Sequence, residues 1–158
     1  MTNPLPFLAM LGCCAALASP ARAQDIAPQV WVNAGLLSYH LNRNNDYRER
    51  NWGLGAEAIV APDHAFLLGT YLNSENRRSH YFGYQWRPLH WQQQGIDVSA
   101  GVAVSAIDGY PTMNSGSWFL APMPVLAIEG KRVGVNLILV PNFNHGAAIA
   151  AQLKLKVW

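Results

Sequence analysis

The chain of 158 residues contains only two cysteines, Cys13 and Cys14, and both lie close to the amino terminus. They fall within an apolar stretch that ends before a small-x-small cleavage signal at residues 21–23. This pattern predicts a signal peptide over residues 1–23 and a mature domain over 24–158, without a disulfide or a thiol nucleophile. An acylated Cys13, as in a lipoprotein, is the alternative.

Charge is also scarce, since 13% of the residues are charged and the net charge is +2. This balance gives no electrostatic footprint for nucleic acid, so we expect no nucleic-acid partner. After the leader no run reaches the roughly 18 apolar residues of a membrane-spanning helix. Phosphate-loop, dinucleotide and zinc signatures are missing, so we expect neither a cofactor nor a metal. An exported, apolar chain of this kind is typical of a periplasmic β domain or an outer-membrane barrel.

Eight apolar or alternating segments follow one another, with turns or loops and no helical period between them. Tryptophan and tyrosine recur near their ends, as in the aromatic girdles of membrane barrels. A sheet in hydrocarbon has to close, because an open edge would leave backbone groups unpaired. The sequence therefore predicts an all-β fold, an eight-stranded antiparallel up-and-down transmembrane β-barrel, with a soluble lipocalin-like barrel as the alternative. The predicted strands cover residues 29–41, 52–60, 64–72, 80–87, 96–107, 117–128, 133–140 and 147–158.

The last predicted strand does not keep a simple alternation to its end. Leu153, Leu155 and Val157 alternate with lysines that share the face of the terminal Trp158. Apolar residues would be expected on the face of the terminal aromatic residue, so we expect a slip or a bulge close to the carboxyl terminus.

Polar side chains collect at one rim of the predicted barrel. The loops after odd-numbered strands share one end, which is the outer side if the amino terminus is periplasmic. His40 closes the first strand, and Asn73 and Ser74 follow the third. Arginines of the same loops would suit phosphate through bidentate hydrogen bonds, or would serve only the solubility of the loops. They are Arg43, Arg48, Arg50, Arg77 and Arg78.

Several pieces of the chain, in order, resemble the outer-membrane lipid A palmitoyltransferases, the PagP-like family. Residues 47–53 (YRERNWG) are similar to the family's Tyr-Asn-Glu-Arg-Pro-Trp-Gly, and residues 83–86 (GYQW) to Gly-Tyr-Gly-Trp. A proline-rich segment at 122–126 and Pro141 also match, so the resemblance extends from about Trp31 to the carboxyl terminus. It implies a barrel whose outer half holds a dry acyl pocket and which moves a palmitoyl chain from a phospholipid donor to lipid A.

The resemblance also implies roles for three residues at the rim. His40 falls on the essential histidine of the family, and would take the proton of the acceptor hydroxyl. Ser74 falls on the family serine, either as a nucleophile or as a hydrogen-bond donor. Asn73 replaces the family aspartate, and an amide can orient an imidazole but cannot stabilise the imidazolium with a charge.

Three further residues, Gln85, Pro124 and Pro141, complete the predicted substrate site beside the arginines. Gln85 replaces a family glycine at the floor of the acyl pocket, which predicts acyl chains shorter than palmitoyl. Pro124 and Pro141 lack ladder donors and are candidates for a lateral opening through which lipid passes, unless they only relieve a strand bend. Gly35 and Asn51 stand where the family has two prolines that flank a second lateral opening. The sequence also shows no counterpart of the amphipathic helix that precedes the barrel in the family.

The function that we expect is therefore lipopolysaccharide modification in the outer membrane by a monomeric acyltransferase. It would transfer a palmitoyl or shorter chain from a phospholipid to lipid A. Two alternatives remain: a non-catalytic barrel that binds lipid or is structural, and an esterase of the lipid A deacylase type with a His-Ser pair.

Overall fold

The computed structural model of the protein describes residues 27–43, 46–142 and 146–158. Eight antiparallel strands are joined in chain order and close into a barrel, in which the last strand pairs with the first. The prediction of an all-β up-and-down barrel is confirmed. The predicted signal peptide and both cysteines lie outside the described residues. The strands are β1 (Gln29–His40), β2 (Arg50–Ala61), β3 (His64–Leu72), β4 (Arg78–Gln93), β5 (Ile96–Ile107), β6 (Phe119–Glu129), β7 (Val133–Asn142) and β8 (Gly146–Lys156).

Two ends of the barrel can be distinguished by their connections. Strands β1, β3, β5 and β7 all finish at one end of the barrel, called here the long-loop end. The short turns after β2, β4 and β6 are at the other, the short-turn end. In the described ranges no helix has the length and apolar character required to cross a membrane.

Strand β4 is longer than predicted. The sequence predicted a turn over residues 88–95, but the strand continues to Gln93 and only Gln94 and Gly95 form the turn. The register with β5 shifts between Trp86 and Leu89, which places Pro88 in a bulge. A proline is tolerated there because a bulged residue does not have to donate to the ladder.

The two faces of the wall are opposite in character to those of a soluble barrel. Alternate side chains point outwards, and they include Leu37, Trp52, Leu54, Phe66, Leu68, Phe82, Trp86, Val102, Leu120, Ile149, Leu153 and Leu155. Many of the inward side chains are polar and buried, among them Asn33, Glu57, Gln85, Arg87, Ser99, Ser105, Asn136, Gln152 and Lys154. Large apolar side chains therefore cover the outside of the barrel, whereas the lumen contains both polar and apolar side chains.

A bulge at Gly35 changes the phase of β1. Gly35 has φ of +54°, a conformation that favours glycine, and the register beside it shifts on both sides of the strand. Before the bulge the odd-numbered Trp31 and Asn33 are buried within the barrel, whereas after it the even-numbered Ser38 and His40 face the lumen. An uninterrupted strand would turn His40 to the outer surface, so the bulge determines on which side of the wall the imidazole lies.

The carboxyl terminus contains the irregularity that its sequence predicts. The backbone N–H groups of Val157 and Trp158 both donate to the carbonyl of Val30, at 2.9 and 3.2 Å. Two residues thus oppose one, as in a β-bulge, and both side chains are exposed.

Four buried ionic side chains fill the lumen near the short-turn end, and we call them the ionic plug (Glu57, Arg87, Glu129 and Lys154). Lys154 Nζ lies 2.8 Å from Glu57 Oε1 and 2.5 Å from Glu129 Oε1. Arg87 Nη1 lies 3.0 Å from Glu129 Oε1. The Lys154 ammonium is also 5.1 Å from the centre of the Trp31 ring, a cation–π contact. Two cations and two anions make the plug neutral, so none of its charges is buried without compensation.

Removing one cation from the plug should destabilise the barrel strongly. We expect Lys154→Met to lower the free energy of unfolding by about 3–5 kcal/mol, because two buried carboxylates lose their shared partner. Urea unfolding in detergent, followed by tryptophan fluorescence, measures the change. Lys131→Met, in the exposed turn after β6, is the matched control and should stay within about 0.5 kcal/mol of the wild type. Equal midpoints for the two variants would show that the plug contributes nothing to stability.

Candidate functional site

A cavity occupies the half of the lumen between the ionic plug and the long-loop end. Its volume is about 210 Å³. A single water needs only about 10–15 Å³, so the space is sufficient for an organic ligand. The middle of its wall is apolar and is lined by Leu36, Leu67, Ala103, Ile107, Met123, Ile138, Val140, Ala148 and Ala150.

His40 and Ser74 both line this cavity at the long-loop end, although they come from different hairpins. The half-buried His40 ring stacks on Tyr47, with ring centres 4.5 Å apart and planes at 27°. Its Nδ1 is buried and has no hydrogen-bond partner in the part of the chain that the structure describes. The structure thus brings the predicted base and the predicted hydroxyl to one cavity, and an aromatic ring holds the imidazole in place.

Two tyrosines that the sequence analysis did not identify complete this end of the cavity. The Ser74 hydroxyl lies close to the phenol of Tyr110, and the Tyr110 and Tyr71 oxygens are hydrogen-bonded at 2.9 Å. Burial raises the pKa of the Tyr110 phenol above its ordinary value, so this group stays protonated at neutral pH and can donate. No local motif marks Tyr110, because only the packing of the loop after β5 brings it to the loop after β3.

The Asn73 side chain does not face the cavity that Ser74 lines. It is fully buried in the loop and is not part of the cavity wall. Its Oδ1 accepts hydrogen bonds from the backbone N–H groups of Glu75 and Arg77, both at 2.9 Å. Its Nδ2 donates to Ser79 Oγ at 2.9 Å and to the Gly109 carbonyl at 2.8 Å. The bond to Gly109 joins the loop after β3 to the loop after β5, and the other three bonds order the loop after β3 and the start of β4.

The predicted phosphate-binding arginines lie outside the cavity. Arg50, Arg77 and Arg78 are all exposed at the long-loop end. Arg78 Nη1 approaches Thr70 Oγ1 at 3.4 Å, and Arg48 Nε donates to the Arg50 carbonyl at 2.7 Å. These cations surround the rim, where they can meet an anionic group outside but do not touch a ligand within.

Gln85 lies at the deep end of the cavity. Only 2% of the side chain is exposed, and it lines the cavity together with Asn33, Tyr81, Ser105 and Gln152. A ligand that enters from the long-loop end would therefore meet Gln85 last.

The cavity opens sideways between β6 and β7. In the described residues these strands pair only from Val125–Ile138 to Glu129–Gly134, which leaves the long-loop half of both without a ladder between them. Consecutive residues 119–123 line the cavity, although alternate side chains of a strand point to opposite faces. The outward Leu120 and Pro122 are also among its lining residues, which places the gap between β6 and β7 at the side of the cavity.

The prolines lie along this lateral opening. Pro141 lines it from β7. On β6, Pro122 lines it directly, and the exposed Pro124 precedes the first residue that pairs with β7. Each proline has a ladder partner in β5 or β8 but none across the gap, so an N–H that would point into the gap is lost without cost, which explains why prolines are accepted here.

A scan against models of protein families and a search of the curated proteins found no match for this chain. The resemblance to the PagP-like family therefore depends on the short pieces quoted above and on their order. Among the described residues there is also no group of three or more His, Asp or Glu side chains that could hold a metal ion.

The contacts of Asn73 predict that an acid at this position would not improve the site. We expect Asn73→Asp to lower the free energy of unfolding by about 1–3 kcal/mol, because a carboxylate cannot donate to Ser79 and Gly109. Urea unfolding at neutral pH measures this change. Asn76→Asp, exposed in the same loop, is the control and should have a much smaller effect. An unchanged midpoint for Asn73→Asp would show that these hydrogen bonds do not hold the loops.

Proposed function

We propose that this chain is an outer-membrane acyltransferase that moves a fatty acyl chain from a phospholipid to lipid A. The observation that carries the proposal is one cavity with three properties. It is blind towards the ionic plug, it opens through the wall between β6 and β7, and an imidazole and a hydroxyl stand at its long-loop end. An enzyme that takes an acyl chain from a lipid within the membrane plane requires all three.

The outer surface supports a location in a membrane. Large apolar side chains are exposed on every strand, and charged ones are concentrated in the loops and the lumen. A closed barrel leaves no long free sheet edge, so a single chain is sufficient and we expect a monomer. The long-loop end would face the exterior, where lipid A is found, and its arginines would face the phosphates of lipid A.

The proposed reaction needs one base and one set of hydrogen-bond donors. His40 removes the proton from the acceptor hydroxyl of lipid A while the hydroxyl oxygen attacks the ester carbonyl carbon of the phospholipid. The tetrahedral intermediate then collapses, the bond to the glycerol oxygen breaks, and His40 returns the proton to that oxygen. The products are acylated lipid A and a lysophospholipid. Atoms and charge balance without a cofactor.

The negative charge that develops on the carbonyl oxygen needs donors nearby. Ser74 and the protonated Tyr110 are hydroxyl groups at this end of the cavity, and they lie close to each other. Such donors stabilise an oxyanion most effectively where water is excluded. Tyr110 is itself held by its hydrogen bond with Tyr71, and Ser74 can donate to the oxyanion or attack the ester itself.

A non-catalytic lipid-binding barrel is the second candidate, and one observation favours it. In a Ser-His-Asp arrangement an acid accepts the proton of the second ring nitrogen. Here the buried Nδ1 of His40 has no partner in the described ranges, and Asn73 is engaged elsewhere. A barrel that only binds lipid has no need of an oriented imidazole.

An acyl-transfer assay separates the candidates. Purified protein in detergent is mixed with phospholipid and lipid A, and both lipids are followed by mass spectrometry. We expect acylated lipid A and lysophospholipid with the wild type, and a rate at least about 100-fold lower with His40→Ala. Tyr110→Phe should lower the rate about tenfold through the loss of a hydroxyl, and Ser74→Ala more strongly.

The control for His40→Ala is His64→Ala, which removes an imidazole near the short-turn end and should leave the rate unchanged. Lack of transfer by the wild type would leave only lipid binding. Fatty acid released without acylated lipid A would identify an esterase instead.

The position of Gln85 predicts a limit on the length of the acyl chain. The wild type should transfer chains shorter than palmitoyl, and Gln85→Gly should move the preference towards palmitoyl, because the deep end of the cavity becomes longer. Each methylene that does not fit costs about tenfold or more in rate. Phospholipids with defined chains, supplied as a mixture, measure the preference, and Gln92→Gly near the short-turn end is the control. Preferential palmitoyl transfer by the wild type would contradict this role of Gln85.

A further inference from the structure

The deep end of the cavity is polar, although the wall above it is apolar. We call Asn33, Tyr81, Gln85 and Ser105 the polar floor. Asn33, Gln85 and Ser105 are 1%, 2% and 1% exposed. Within the described residues, four of their atoms are buried and lack a hydrogen-bond partner: Asn33 Oδ1, the Tyr81 hydroxyl, Gln85 Oε1 and Ser105 Oγ.

These side chains border one region of the lumen. Tyr81 lies across two glycines, since a Cβ at Gly55 or Gly69 would be 2.1 or 2.6 Å from its hydroxyl. Asn33 pairs with Gly55 across the β1–β2 ladder, so the Tyr81 hydroxyl reaches the side of the barrel on which Asn33 lies. It is close to Asn33 but does not have the geometry of a good hydrogen bond.

The other two members of the polar floor lie on neighbouring strands. Ser105 pairs with Gly83 across the β4–β5 ladder, and Gln85 is two residues further along the same face of β4. The Ser105 oxygen points to the space that the missing side chain of Gly83 leaves, 2.3 Å from where its Cβ would be. The hydroxyl and the Gln85 amide therefore face the cavity together.

Four unsatisfied polar atoms in one buried region indicate a bound group. Buried polar groups are nearly always hydrogen-bonded, and each one that is not destabilises the protein. Two of the four atoms are carbonyl oxygens, which can only accept, and two belong to hydroxyl groups. A hydroxyl group can donate to one of the two carbonyl oxygens and accept from both hydroxyl groups, so it satisfies three of the four atoms. The methyl end of an ordinary fatty chain would leave all four unsatisfied.

We propose that the polar floor binds a hydroxyl group at the far end of an acyl chain, so that the preferred ligand is an ω-hydroxy fatty acyl chain. The direction of binding, with the carboxyl end at His40, depends on the proposed function. His40 and Asn33 are seven residues apart on β1. This spacing corresponds to roughly 18 Å along the barrel axis for a tilted strand, a length suited to a fatty chain. Bound water offers these hydrogen bonds and one further donor, and the experiment distinguishes it from the ligand.

The test compares matched pairs of free fatty acids with the wild-type barrel in detergent. Decanoate, dodecanoate, tetradecanoate and hexadecanoate are each titrated with and without an ω-hydroxyl, and the affinities are measured by calorimetry. At one chain length the hydroxylated acid should bind about 5- to 10-fold more tightly than its partner. The preference should vanish at shorter lengths, for which the hydroxyl would lie beside the apolar wall.

Variants then assign the preference to the floor. Asn33→Leu/Gln85→Leu should abolish it, whereas Gln92→Leu, an exposed control, should keep it. The ratio between wild type and variant cancels the unequal partitioning of the two acids into detergent. If the double variant does not fold, Ser105→Ala replaces it and should reduce the preference several-fold.

Equal affinities for both acids of every pair would overturn the inference and leave water as the occupant of the floor. The outcome is independent of catalysis, because no transfer is measured. If the barrel prefers the hydroxylated acids but transfers no acyl chain, the proposed enzyme is overturned and the role of the polar floor stands. If it transfers acyl chains but shows no such preference, the proposed enzyme stands and the role of the polar floor is overturned.

Discussion

The neutral cluster of Glu57, Arg87, Glu129 and Lys154 is the interaction on which the rest of the structure depends. A barrel of this size has a lumen, and whatever fills the lumen determines which part stays open. Buried charges are tolerated only when each is paired, and here one lysine and one arginine join two carboxylates on different strands. Because the cluster fills one end, the space above it is a blind cavity rather than a channel. Any apolar ligand has to enter at the opposite rim or through the wall.

Access through the wall is limited by the hydrogen bonding of the backbone. In hydrocarbon an unpaired N–H or C=O group is unfavourable, which is why membrane barrels are closed. The long-loop halves of β6 and β7 nevertheless have no ladder between them in the described residues. Pro122, Pro124 and Pro141 remove three N–H groups from these segments and so lower the cost of the gap. The gap provides no acceptors for these N–H groups, and the prolines have no N–H to leave unpaired, so the two features are compatible.

The sequence predicted the strands well, and the site only in part. Alternation of apolar and small residues was sufficient for β3 and β5, whose predicted ends agree with the structure. It failed for β4, because a proline within a bulge looks like a turn. It also could not show that Gly35 changes the phase of β1, on which the inward direction of His40 depends. The position of Tyr110 beside Ser74 and the hydrogen bonds of Asn73 depend on how two loops pack together. No local sequence pattern encodes such packing.

In the proposed reaction the positive charge that forms on the His40 imidazole has to be stabilised. As the imidazole takes a proton it becomes a cation in a half-buried site, where no described residue accepts a hydrogen bond from Nδ1 and the Glu49 carboxylate acts on it only from a distance, opposed by Arg43. The oxyanion forms at the same moment, only a few bonds away, so the two opposite charges stabilise each other at short range. In a dry cavity this attraction is much stronger than in water. Hydroxyl donors that add no net charge, such as Ser74 and Tyr110, then suit the site better than an acid would, because the developing ion pair is already neutral overall.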